Sequence, residues 1–421
     1  MQTTTTFNSK TLALQVMSWC DQLAAISSAP NNISRFYLTP EHKRCNAQVA
    51  EWMQTAGMKS WTDAAGNLWG RYEASASNVK TSNVKTLLLG SHLDSIPNAG
   101  AYDGILGVLV AIASVQQLHQ QNIKLPFAIE VVGFGDEEGS RFGSTLLGSR
   151  AVAGTWQQEW WTLKDRDGVT LEEAFTTFGL KPELISTAAR TREDFLAYIE
   201  VHIEQGPVLE EGDHPLGVVT SIAGARRFKI DVQGYAGHAG TVPMHMRKDA
   251  LLGAALGVEL VERIAIEFGV VATVGQIECG PGAVNVIPGR ARFSLDIRSG
   301  DDQLRDQAFD KIQQEFSLIC AKRNLTCNWT EIHNAPAVGC AEWLQDLQAD
   351  VLSEMGLEHI RLMSGAGHDA MAIAAIADVS MYFVRCKGGV SHHPDELVMV
   401  EDVELVIEAL TKTLLKISEN I

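Results

Sequence analysis

The stretch that most constrains this chain is 90–107, GSHLDSIPNAGAYDGILG. Leu87, Leu88 and Leu89 precede it as an apolar run that predicts a short buried strand. Gly90-Ser91 closes the run, and His92 and Asp94 follow at once. A loop with Pro97, Asn98 and Gly100 then leads to Asp103-Gly104, and a long apolar helix is expected to begin near Ile105. His92, Asp94 and Asp103 therefore fall between the carboxyl end of a strand and the start of a helix, where open α/β sheets place ligands. An imidazole and two carboxylates at such a place suit a metal ion, although a polar loop with a satisfied histidine has the same composition.

The rest of the chain extends the pattern. Residues 12–26 and 41–53 read as helices, the second with Thr39 as N-cap and Pro40 at its first position. Residues 59–72 alternate around Gly66-Asn67, a hairpin signal, and 74–85 read as a polar surface loop. Residues 127–135 (FAIEVVGFG) predict a buried strand that runs straight into Asp136-Glu137-Glu138, and 196–203 a further one ending in His202, Glu204 and Gln205. Strand, helix, strand in this order is the βαβ pattern of a parallel sheet. Residues 171–195 read as helical and surface-facing. Near Leu216 the style changes: 218–222, 226–232 and 291–298 alternate apolar and polar, and amphipathic helices are expected over about 247–268 and 301–323. The order β-α-β-β-α-β fits a ferredoxin-like insertion. After about Ala335 the buried style returns, with helices over 341–355 and 400–417 and a strand over 379–385. The expected fold is α/β: a mixed, mostly parallel sheet with helices on both faces, formed by 1–215 and 333–421, plus an inserted α+β lid or dimerisation domain over 216–332.

Charge and cysteine usage narrow the function. With 421 residues and a formal net charge of −17, the chain is a poor partner for nucleic acid or an anionic membrane. The Thr-rich start has no basic segment before an apolar one, and the apolar run 105–115 is too short to span a bilayer. The seven cysteines are scattered and lack CxxC spacing, which suggests reduced thiols and a cytoplasmic location.

Four segments now carry His, Asp or Glu at strand ends: His92 with Asp94 and Asp103, Glu137 with Glu138, His202, and the late SHHPDE (391–396). In one sheet they converge on one edge, and burying so many unpaired carboxylates is costly. Two divalent cations would neutralise them, and a further acidic group would then manage the proton of an attacking water.

These residues carry a resemblance. The motifs GSHLDS, AYDGILGV, GDEEGSRFG, HIEQGP, GHAGTVPM, VNVIPGR, SGAGHDA and GGVSHHPDE, spread from about Ser34 to Leu415, resemble the M20 family of two-metal hydrolases. They are closer to its allantoate amidohydrolase and N-carbamoyl-L-amino-acid hydrolase branch. The resemblance implies that Asp103 bridges two ions, His92 and His202 complete one set, and Glu138 and His392 the other, with His393 the neighbouring alternative to His392. It implies Glu137 as general base and Asp94 as the group that orients His92. Manganese, zinc or cobalt suits the donors.

On the substrate side, His238 lies in GYAGHAG, which by itself reads as a capped turn with a solvated imidazole. The resemblance implies that it stabilises an oxyanion. It likewise implies that Asn285 and Arg298 hold the substrate's polar groups and carboxylate, and that Gln205 faces substrate. Arg298 otherwise reads as an exposed charge at a strand end. Gly365, Gly367, His368 and Asp369, at a loop-to-helix start, are expected to support the site, although Asp369 there is also an ordinary capping choice, and Gly388-Gly389 reads as a backbone approach to a ligand or as a turn. The expected enzyme is a homodimer with shared active sites that acts on a small ureido acid. His202, where peptidases of the family usually carry Asp, argues against a peptide substrate.

Overall fold

The computed structural model of the chain describes residues 9–75 and 85–420. The N-terminal eight residues and most of the surface loop expected over 74–85 lie outside these. Two compact units form. The first holds the chain as far as Thr220, with Cys340–Leu362 and the residues from Gly367 onward; the second holds Ser221–Gly339 and Met363–Ala366.

The first unit is built on a sheet with a parallel core. In spatial order seven of the nine strands of this sheet are Lys59–Thr62, Leu68–Tyr72, Ala128–Phe134, Thr86–His92, Phe195–Ile203, Val379–Val384 and Leu216–Ile222, and Val338–Gly339 and Ile360–Ser364 both pair with the last. The four strands from Ala128–Phe134 to Val379–Val384 pair in parallel, and the flanking strands are antiparallel. Because side chains alternate across a strand, the sheet divides its residues between two faces. Leu87, Leu89, Ile129, Val131, Ala197, Ile199 and Val201 join one core cluster with helices Ser9–Ala24, Ile105–Gln120 and Val400–Glu419. The intervening residues of the Phe195–Ile203 strand include Glu200, whose carboxylate accepts the Ala370 N–H at the start of the short helix Ala370–Ile373. Helices thus serve both faces.

Ile105–Gln120 explains why the sheet is so well buried. Its sequence, ILGVLVAIASVQQLHQ, is apolar on every side of the helix, and only its last two residues are not buried. A helix hydrophobic all round belongs inside a domain, and each fully buried Leu, Ile or Val contributes roughly 1.5–3 kcal/mol. Gly104 starts it at φ 70°, a left-handed conformation, and a Cβ there would meet the His92 imidazole at 2.3 Å.

One expected element is broken. Residues 171–195 form a helix only over Leu171–Phe178, opened by a capping box between Thr170 and Glu173. Gly179, at φ 101°, ends it, and Pro182 starts a separate 3₁₀ turn, Pro182–Ala188. The segment is not simply surface-facing either, because Leu171, Phe175 and Ile185 are buried.

The second unit carries a five-stranded antiparallel sheet, in the order Ile277–Gly280, Arg290–Ser299, Gly224–Gln233, Thr326–Ala335, with Val271–Thr273 also paired to Arg290–Ser299. Helices Ala250–Phe268 and Asp302–Lys322 share a core with it. In chain order this is β-α-β-β-β-α-β, one strand more than expected, because Val271–Thr273 and Ile277–Gly280 pair separately with Arg290–Ser299. Among the described residues no helix is long and apolar enough to cross a membrane.

Candidate metal centre

Parallel strands end on the same edge, and the first unit uses that edge. His92 is the last residue of its strand, Glu137 and Glu138 follow Ala128–Phe134 closely, and His202 is next to last in Phe195–Ile203. Asp103 stands at the foot of the buried helix. Its Oδ1 lies 3.2 Å from His202 Nε2 and 3.9 Å from His92 Nε2, and its Oδ2 lies 3.2 Å from His392 Nε2. His392 Nε2 is also 3.7 Å from Glu138 Oε1, and His92 Nε2 is 4.0 Å from Glu137 Oε2. Two groups that could hold an ion therefore share Asp103: His92 with His202, and Glu138 with His392. A third joins His92, Glu137 and Glu138. His393 instead faces Asp395, at 3.6 Å.

The imidazoles are oriented for this. His202 Nδ1 lies 2.9 Å from the Ile203 carbonyl and His92 Nδ1 3.2 Å from the Asp94 carbonyl, so each Nδ1–H is committed to a backbone oxygen. Each Nε2 lone pair then points toward Asp103, the arrangement found around bound metals. A lone pair and a carboxylate oxygen 3.2 Å apart need a cation or a proton between them. Protonation alone strains the cluster. Burial opposes the ionised form of Asp103, yet hydrogen bonds from His202 and His392 hold its carboxyl well below the usual range. Burial works against a charged His202 too, and Asp103 pushes it up to about 9. Glu138 is pushed up to about 8 by burial and then by the charges of Asp103 and Asp94, and Glu137 well above the usual range by burial and then Glu138. Divalent cations relieve all of these at once, so the donor set fits the expected ions.

Asp94 does more than expected. Its Oδ1 is 3.7 Å from His92 Nδ1, but its two carboxylate oxygens also accept the N–H groups of Glu137 (3.1 Å) and Glu138 (3.3 Å). It fixes the backbone that presents both glutamates. Gln205 donates from Nε2 to both oxygens of Asp103, at 3.3 and 3.2 Å, and to Ser391 Oγ at 3.1 Å.

The remaining residues lie in the second unit. His238 sits in a two-stranded ribbon, opposite Val286, so Asn285 is beside it; both are exposed. His238 Nδ1 accepts the Gly240 N–H at 3.0 Å, which leaves the ring proton on Nε2. Arg298 is in the five-stranded sheet and is not a solitary charge. Its Nε and Nη2 grip Asp296 at 2.8 and 2.9 Å, and its Nη1 donates to the Gly365 carbonyl at 2.8 Å. Arg227 also holds Asp296, and these residues line a cavity of about 620 Å³.

Comparison with known proteins shows the family. Residues 88–416 match peptidase family M20/M25/M40. The chain belongs to that family. It is 37% identical over 402 residues to an N-carbamoyl-L-amino-acid amidohydrolase from Pseudomonas sp. (strain NS671), covering 94% of this chain and 96% of that one. It is 36% identical over 420 residues to allantoate deiminase 2 from Glycine max, covering 91% and 85%. Among solved structures, an amidase of the hydantoinase/carbamoylase family from Burkholderia multivorans superposes with a TM-score of 0.89 at 32% identity, covering 96% and 97%. As an M20 amidohydrolase, the chain is a metal-dependent hydrolase of linear amides.

Several residues around this M20 centre escape sequence reasoning. Arg35, 1% exposed, donates to the carbonyls of Leu93 (2.7 Å) and Leu23 (2.8 Å), and so props the loop after His92. Glu200 accepts the Ser91 hydroxyl at 2.7 Å. Glu396 accepts the N–H groups of Tyr102 and Asp103. His368, expected as support, packs edge-on against His202 with centroids 4.4 Å apart. Gly388-Gly389 does mark a close approach, but to protein: a Cβ on Gly389 would meet the Gly206 backbone at 2.5 Å.

Proposed function

We propose that the protein hydrolyses the carbamoyl C–N bond of allantoate, giving ureidoglycine, ammonia and carbon dioxide. The observation that carries the hydrolytic reading is one buried carboxylate, Asp103, set between two histidine-containing groups with Glu137 alongside. His92, Asp103 and His202 would hold one divalent ion, and Asp103, Glu138 and His392 the other. Manganese or zinc suits the donors, with cobalt as a further candidate. Such ions acidify a water and polarise the scissile carbonyl.

The chain's own groups do the rest. Glu137 takes a proton from the attacking water and passes it to the nitrogen that leaves as the C–N bond breaks. The carbamate so released falls apart to ammonia and carbon dioxide. His238 donates Nε2–H to the oxyanion, the proton location that the Gly240 bond enforces. Gln205 spends its amide nitrogen on Asp103 and Ser391, so its Oε1 accepts from a ureido N–H. Of the five guanidinium N–H donors, Asp296 and Gly365 leave Arg298 one on each terminal nitrogen for the substrate carboxylate, and Asn285 binds a polar group. The enzyme works in the cytoplasm as a homodimer.

A second reading has specific support: relatives named N-carbamoyl-L-amino-acid amidohydrolase are 37% and 38% identical, level with the allantoate deiminases. Ammonia release from allantoate and, separately, from N-carbamoyl-L-methionine distinguishes them. Turnover of allantoate alone is expected. Preference for the carbamoyl amino acid keeps the chemistry and replaces the substrate, and activity on neither with both ions bound refutes the reading.

A further inference from the structure

The three histidines of the centre are held unequally. His92 and His202 have side chains 2% exposed and sit within strands of the parallel core. His392 is 50% exposed, lies outside helix and strand, and has φ 56°, a conformation unfavourable for a non-glycine residue. The sheet does not hold it, so something else must.

Glu396 is placed to do so. It is 4% exposed, four residues beyond His392, and 293 residues beyond Asp103 in the chain. Its Oε1 accepts the backbone N–H groups of Tyr102 (2.8 Å) and Asp103 (3.0 Å). Its Oε2 accepts the Ser391 hydroxyl at 3.0 Å, and Ser391 Oγ accepts from Gln205 Nε2, which returns to the Asp103 carboxylate. Gln205 is also left-handed, at φ 57°. The circuit starts on the Asp103 backbone, passes through the residues on either side of His392, and closes on the Asp103 side chain. Hydrogen bonds to a carboxylate are about twice as strong as neutral ones.

We propose that Glu396 is a positioning residue: it clamps the His392 segment to the Asp103 loop and so sets up the ion site made by Asp103, Glu138 and His392. The inference rests on the two-ion reading above. It predicts an asymmetry, because the site of His92 and His202 is secured by the sheet without Glu396. Loss of a group that orients a ligand typically weakens metal binding by about 10–100-fold.

The test is calorimetric titration of Zn²⁺ into the metal-free full-length protein, beside its thermal midpoint without metal. Glu396→Ala is expected to weaken one of two ions by about 10–100-fold and to leave the other ion unchanged, while the metal-free midpoint falls because two buried N–H groups lose their acceptor. Glu396→Gln, which keeps one acceptor oxygen for the two N–H groups, and Ser391→Ala should weaken the same ion by less. His392→Ala identifies that ion, and adding Glu396→Gln to it should cause no further loss. If Glu396→Ala does not fold, Glu396→Gln and Ser391→Ala decide. Wild-type binding of both ions in these variants overturns the proposal, as does equal weakening of both ions. Fewer than two ions in the wild type overturns the two-ion reading, and the proposal with it.

Discussion

The two units hold their functional candidates by different physics. In the first, His92 and His202 are part of strands whose neighbours on both sides are buried, and Asp94 ties a third strand end to them. Moving a ligand there means moving the sheet. In the second, His238 and Asn285 are exposed on a two-stranded ribbon fixed by turn hydrogen bonds, and Arg298 is aimed by an ion pair with Asp296. Those groups can be altered without disturbing a core. The difference teaches that the candidate ion-holding groups are set by the sheet, whereas the groups proposed for the oxyanion and the substrate are set by local contacts that a substitution can retune.

Asp103→Asn offers the largest break. It removes the one carboxylate that both sites share, so the protein should lose both ions and all measurable turnover, as chelation should in the wild type. Metal content after dialysis checks this, and retention of both ions would show that the shared carboxylate is not the pivot. His238→Ala should leave metal content intact and lower kcat by about 10²–10³-fold, the usual loss of one oxyanion donor. A parallel loss of metal would erase the distinction between the units. Arg298→Lys should act more mildly. Lysine cannot grip Asp296 and a substrate carboxylate at once, so KM should rise by roughly 10–100-fold, from about 1.5–3 kcal/mol for a charged hydrogen bond, with kcat nearly constant. Steady-state kinetics separates the two constants.

The smallest effect concerns the first unit's core rather than its chemistry. His42 is 1% exposed and its Nδ1 accepts the Leu38 N–H. Burial, and then the charge of Arg35, lower its pKa from 6.5 to about 3. The unfolded chain therefore takes up a proton there that the folded chain refuses. Stability from this group is intact above pH 6.5 and declines as pH falls toward 3. Thermal midpoints between neutral and mildly acidic pH should fall more steeply for the wild type than for His42→Gln, and equal slopes would contradict the assignment.

Much of this was legible in the residues, for physical reasons that also mark where legibility stops. Apolar runs such as Leu87–Leu89 that end in His, Asp or Glu identify parallel strands and candidate ligands together, because burial and donor chemistry leave marks in the same few residues. The clamp by Glu396 was not legible: SHHPDE is visible as a segment, but hydrogen bonds to Tyr102 and Asp103 span most of the chain. Arg35 gave no sign, since an arginine buried by carbonyl oxygens has the same letter as a solvated one. The pairing of Arg298 with Asp296 was readable in principle, because alternate residues share a face of a strand. The helix expected over 171–195 failed because its amphipathic pattern outweighed Gly179 and Pro182, which end and restart the backbone.

The central claim is that Glu137 moves the proton at a centre whose ions are held by other residues. Glu137→Gln keeps the size and shape of the side chain and removes its basicity. Turnover and metal content measured on the same preparation give the most direct test. The account predicts two ions still bound and ammonia release reduced by at least about 10²–10⁴-fold, the range of general acid–base catalysis. Near wild-type turnover with both ions present would contradict it.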